Sequence, residues 1–126
     1  MPIRLEIPGK TPPSLNKVGG VSHWRTWRRH KKEWEDMIGI LLLAEVNPRR
    51  PLKTPVIMDA MLWFPVSRRR DEGNYRSLLE KSAGDALVKG RWIPDDTPEC
   101  FRFRSITFVK GYKATVLLLR EGWSVR

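Results

Sequence analysis

Between Ser67 and Asp96 the chain places side chains that do phosphate and metal chemistry. Arg68, Arg69 and Arg70 stand directly before Asp71 and Glu72, and a second acid pair, Asp95 and Asp96, follows further on. Arginines in a run suit a polyanion. Carboxylates beside them repel one unless a cation intervenes, and Mg²⁺ fits that role. It takes oxygen ligands, keeps several waters and completes its shell with substrate phosphate. A carboxylate-bound ion polarises a phosphodiester and activates a water. Acids from the loop after one strand and from a later loop are expected to meet at such a site, with Arg68, Arg69 and Arg70 on the flanking phosphates. The same residue types also make an ordinary charged surface loop.

Hydrophobic patterning sets the elements that must position these groups. Ile3, Leu5 and Ile7 alternate with Arg4 and Glu6, the signature of a strand with one buried face. Pro12-Pro13 and Gly19-Gly20 mark a loop. From Trp24 to about Val46 the spacing of Trp27, Trp34, Ile38 and Leu41 predicts a helix with one apolar face. Its front half carries Arg25, Arg28, Arg29, Lys31 and Lys32. Arg28 and Lys31 are candidates for phosphate contact, and a merely solvated face is the alternative. Val56–Phe64 is apolar on both alternating faces except at Asp59, which predicts a central strand. Asp59 reads as an acid hydrogen-bonded near a strand end or, less readily, as a catalytic one. Tyr75, Leu78, Leu79, Ala83, Ala86 and Leu87 form a helical stripe, with Asn74 as expected N-cap and Gly90 as stop. The segments around Lys110-Gly111-Tyr112 read as a β-hairpin. The expected fold class is α/β (α+β): a small mixed sheet and two helices in the order β-α-β-α-β-β, as one domain over residues 1–126.

Composition narrows the partners. The 126 residues carry 24 Lys+Arg against 14 Asp+Glu, a net charge of +10, which favours nucleic acid or an anionic surface. Cys100 is the single cysteine, and His23 and His30 are the two histidines, which argues against a disulfide framework and a Cys/His zinc site. No apolar run approaches a membrane span, and the first residues carry no signal-peptide core. A cytoplasmic protein without a membrane anchor or small-molecule cofactor is expected. Trp24 and Trp92 read either as core residues or as platforms for exposed bases.

Four segments in order, Pro12–Lys17 ("PPSLNK"), Arg68–Asp71 ("RRRD"), Lys81–Leu87 ("KSAGDAL") and Trp92–Asp96 ("WIPDD"), make nearly the whole chain resemble the RusA-type Holliday junction resolvases, small endonucleases often encoded by phages and prophages. The resemblance implies an α/β homodimer that binds four-way DNA junctions. It implies paired phosphodiester hydrolysis with Mg²⁺, or Mn²⁺ as substitute, in DNA recombination and repair within a bacterial or phage-infected cell. It implies Asp71 and Asp96 as catalytic acids and metal ligands, and Lys81 as the essential helix lysine. It also suggests that the loop holding Asn16 and Lys17 contacts DNA; a loop that only positions the helix is the alternative.

One position departs from the family pattern. The family reads Asp-x-Asp-Asn after the arginines, whereas this chain reads Asp71-Glu72-Gly73-Asn74, and the run from Asn74 to Lys81 is longer by about one helical turn. Either Glu72, Glu80 or Asp85 supplies the missing ligand, or metal binding is weakened. Glu72 is favoured because it lies beside Asp71. Two functions follow: a Mg²⁺-dependent junction endonuclease, or a module of the same shape that binds branched nucleic acid without cutting it.

Overall fold

The computed structural model of the chain describes residues 2–14 and 24–122. The elements are β1 (Ile3–Pro8), α1 (Trp24–Glu45), β2 (Val56–Phe64), α2 (Gly73–Lys89), β3 (Phe101–Lys110) and β4 (Ala114–Glu121). They form an α+β fold with the expected β-α-β-α-β-β order. Asn16, Lys17 and His23 lie outside the described residues.

The four strands make one mixed sheet in the order β1-β4-β2-β3. β2 pairs antiparallel with β4 and parallel with β3, so it is central, as its two apolar faces require. The expected hairpin is corrected here: β3 and β4 do not pair with each other but lie on either side of β2. The chain passes over the end of β2 through Gly111, whose N–H donates to the Phe64 carbonyl at 2.9 Å. A Cβ at Gly111 would lie 2.8 Å from the Trp63 ring, so a larger residue here would push that ring aside. A short connection between alternating strands reads as a hairpin locally, and only the demand of β2 for two neighbours opens it.

Both helices pack on one side of the sheet. Trp34, Ile38 and Leu42 of α1 meet Leu78, Leu79 and Leu87 of α2 over Leu5, Met58, Leu62, Leu117 and Leu119. On α1 the fully buried stripe is Trp34, Ile38 and Leu42, while Trp27 and Leu41 are half-buried at its flank. Trp92 is 1% exposed, so it is a core residue and stacks on no base. The Arg49 guanidinium covers its ring at 4.2 Å. Gly90 ends α2, and a Cβ there would stand 2.5 Å from the Trp92 indole nitrogen, so the stop signal is a packing requirement too.

The start of α2 differs from the expected Asn74 cap. Gly73 is the first helical residue, and Glu72 before it makes no side-chain cap bond. The Asp71 carboxylate, one residue earlier still, accepts the Gly73 N–H at 3.0 Å. An aspartate that bonds the backbone two residues on competes well for this role.

A buried charge cluster locks α1 to α2. Glu35, 3% exposed, takes Lys89 at 2.8 Å, Lys31 at 3.2 Å and Lys32 at 3.3 Å. Burial alone would raise its pKa, but the bonds from Lys89, Lys31 and Lys32 outweigh it and hold the carboxyl at about 2. Lys31 also pairs with Asp85 of α2.

Candidate active site and nucleic-acid interface

The β2-α2-β3 unit is a parallel crossover, and this decides where the acids go. The loop before α2 leaves the C-terminal end of β2, and the loop after α2 feeds the N-terminal end of β3. In a parallel pair these ends lie at opposite ends of the strands. Asp71 sits against Gly73 at the start of α2, whereas Asp96 packs beside Gly84, where a Cβ would lie 3.6 Å from the Asp96 Cβ. Gly73 and Gly84 are separated by about 16 Å of helix axis at 1.5 Å per residue. Within one chain the acids of the two loops therefore do not meet. Among the described residues no three His, Cys, Asp or Glu side chains come together as a metal cluster.

Two recesses result. The first is a cleft between the arginine loop, the chain after β1 and the front of α1. Lys10, His30, Arg68, Arg69, Asp71 and Glu72 are among its walls. Arg68 and Arg69 are exposed and point charge into it. Arg70 is turned inward: its guanidinium lies 3.8 Å from the Phe64 ring centroid and donates to the Val66 carbonyl at 3.1 Å. It braces the loop more than it offers charge. His30 is held below its ordinary pKa by partial burial, then by Arg29 and Lys10.

The second recess is a groove between the outer face of α2 and the chain around the start of β3. Lys81 and Asp96, matched separately from two motifs, both line it, together with Glu80, Arg76 and Arg102. The helical phase explains the grouping. Gly73, Ser77, Lys81 and Gly84 fall on the face of α2 opposite its apolar stripe, and Glu80 falls beside them.

The three candidates for the missing acid separate cleanly. Glu72 lines the cleft with Asp71, as its sequence position suggests, and pairs with Arg76 at 3.5 Å. Glu80 lines the groove with Asp96 and Lys81, 3.8 Å from Arg76. Asp85 lies on the flank that meets α1 and is paired with Lys31, not with Lys81. Chain proximity to Asp71 favours Glu72. Asp96 and Lys81 instead have Glu80 in their groove.

Other candidates are placed as follows. Arg28 is exposed, its guanidinium 5.1 Å from the ring centroid of Trp24, which is itself 48% exposed. Lys31, proposed for phosphate contact, is turned inward onto Glu35 and Asp85. Its pKa is raised: burial pulls it down, and the bonds to Asp85 and Glu35 more than compensate. Asp59 is mid-strand, not near an end. It accepts Arg104 at 2.5 and 2.9 Å, Ser105 at 2.6 Å and Arg120 at 2.9 Å. Its register shift against β3 is a β-bulge that brings Arg104 and Ser105 to it. Burial works to raise its pKa, yet Arg104, Ser105 and Arg120 keep it low. Its part is structural. Sequence reading missed Arg76 and Arg102 as groove residues. The legible signal was the Glu72, Arg76, Glu80 spacing of four, which puts all three on one helical stripe.

No family model matches the chain, and no curated protein matches it. Among the described residues no helix is long and apolar enough to cross a membrane.

Proposed function

We propose that the chain is a Mg²⁺-dependent, structure-selective endonuclease that works as a homodimer on four-way DNA junctions and hydrolyses one phosphodiester in each of two strands. The observation that carries this reading is the groove on α2, which holds Asp96 and Lys81 with Glu80, Arg76 and Arg102. An acid flanked by several cations is what phosphodiester chemistry needs. The cations hold and neutralise phosphate, and the acid supports hydrolysis. The net charge of +10 supplies the long-range attraction to a polyanion.

The donor set suits Mg²⁺. Asp96 and Glu80 offer hard oxygen ligands, and Mg²⁺ commonly binds through one or two carboxylates while retaining waters. These two residues would hold the ion, and when bound it would polarise the phosphodiester and activate a water. Lys81, exposed in the same groove, places an ammonium where negative charge gathers on the phosphate. Arg68 and Arg69 hold phosphates flanking the cut, and Arg28 extends the basic surface along α1. Asp71 stands in the adjacent cleft, and its catalytic part is proposed from the motif match alone. A two-fold dimer would match the symmetry of the junction and bring two grooves to two strands.

A second reading is a binding module that holds branched nucleic acid without cutting it. It is favoured by Gly73 in place of an acid and by the separation of Asp71 from Asp96. Incubation of a synthetic four-way junction with the protein, with and without Mg²⁺, tests the choice. Paired nicks that require the ion support the endonuclease, and tight binding with intact strands supports the module.

A further inference from the structure

We propose that Arg76 and Arg102 form a preorganised phosphate clamp in the α2 groove, which seats a nucleic-acid phosphodiester against Lys81 and Asp96. The proposal rests on the reading of this groove as a phosphodiester site and names residues that the sequence motifs do not contain.

The first support is how the two guanidiniums are held. Arg76 Nη2 donates to the Phe103 carbonyl at 2.6 Å, and Arg102 Nε donates to the Pro98 carbonyl at 2.8 Å. Both anchors are backbone oxygens, so each fork is fixed without losing its charge to a tight carboxylate pair. The acids near Arg76 stand further off, Glu72 at 3.5 Å and Glu80 at 3.8 Å. The Phe103 ring supports the same guanidinium at 5.1 Å. The second support is the sheet edge. Among the described residues β3 pairs on one side only, so carbonyls on its outer side have no strand partner there. Arg76 takes one of them, which ties the helix stripe to the strand and sets the groove between them. The third support is exposure: the Arg76 side chain remains 38% exposed despite these contacts, and Arg102 is exposed.

A guanidinium matches two oxygens of a phosphate in a planar, bidentate way that an ammonium does not. Fixing it beforehand removes most of the ordering cost that a free surface arginine meets on binding. Arg76 on the helix and Arg102 on the strand side then grip a phosphate from two directions, leaving Lys81 and Asp96 beside it. The ligand is a phosphate oxyanion. The backbone of nucleic acid supplies it in a chain, and inorganic phosphate supplies it singly.

The test measures dissociation constants for a fluorescent four-way junction across a series of salt concentrations, for wild type, Arg76→Gln, Arg102→Gln and both Lys replacements. Thermal melts accompany each. Each Gln variant should lose roughly 5- to 20-fold in affinity and reduce the magnitude of the log–log salt slope by about 1. Each Lys variant should restore the slope but only part of the affinity, because charge returns without the fork. Arg102→Gln guards against an Arg76 variant that fails to fold. Unchanged slope and affinity in a folded Arg102→Gln protein would overturn the clamp. So would inorganic phosphate binding lost in the Gln variants while junction binding persists, since the site would then serve the free anion. If wild type binds but never cuts, and the Gln variants still flatten the slope, the endonuclease reading falls and the clamp stands. If wild type cuts and the slopes do not change, the clamp falls alone.

Discussion

Asp96 and Lys81 line one recess although nothing in the sequence places them within a turn of each other. Asp96→Asn keeps the size of the side chain and removes one negative charge. Cleavage should drop by at least about 100-fold while junction binding persists or tightens, because the groove repels phosphate less. Asp71→Asn should also lose cleavage and keep its fold, since a carboxamide oxygen can still accept the Gly73 N–H. Gel assays beside binding curves check both. Glu80 and Glu72 give the sharper comparison. Glu80→Gln should impair cleavage far more than Glu72→Gln, because Glu80 shares the groove with Asp96 and Glu72 faces the cleft. The reverse ranking would return the second acid to the arginine loop. Room for the family's missing acid exists: a Cβ at Gly73 would meet only Asp71 Oδ1, at 3.5 Å. Gly73→Asp should therefore fold, since acids are favourable in the first turn of a helix.

At the scale of elements, the α1–α2 contact carries a pH dependence. Glu35 holds a pKa of about 2 in the fold against an ordinary 4.5. Its contribution is complete above the ordinary value and is lost as pH falls from there toward 2. Asp59 and Glu121, both lowered, act in the same direction. Denaturant melts from pH 7 down to pH 2 should show stability falling through this acid window. Glu35→Gln should cost about 2 kcal/mol at pH 7 and flatten the fall, because Lys31, Lys32 and Lys89 lose their shared partner. A variant with an unaltered pH profile would show that Glu35 does not carry this dependence. Much of this level was legible. The strand and helix periods located every element, since the apolar positions repeat at two or at 3.6 residues. What was not legible was pairing. The periods of β3 and β4 are the same whether they form a hairpin or flank β2, and Gly111 meets Trp63, far away in sequence, only in the finished fold. The pairing of Lys31 with Asp85 was not legible for a related reason: partners on two helices meet only once the helices pack beside each other.

At the scale of the molecule, the charge of +10 should dominate association. If about six phosphates are neutralised, the log–log salt slope of junction binding should lie near −5. A flat response would remove the electrostatic basis of the interface. The candidate site was partly legible at this scale. Types and order of residues gave the acids, the lysine and the arginine run. Their distribution over two recesses was not legible, because it follows from the parallel crossover, which sends the two acid loops to opposite ends of the strands. The most direct measurement is cleavage of a synthetic four-way junction by wild type and Asp96→Asn, with Mg²⁺ present or chelated. Paired nicks from wild type only when Mg²⁺ is present, and intact strands with retained binding for Asp96→Asn, are the expected results. A wild-type protein that binds the junction and leaves it whole with either Mg²⁺ or Mn²⁺, or an Asp96→Asn variant that cuts at the wild-type rate, would contradict the endonuclease.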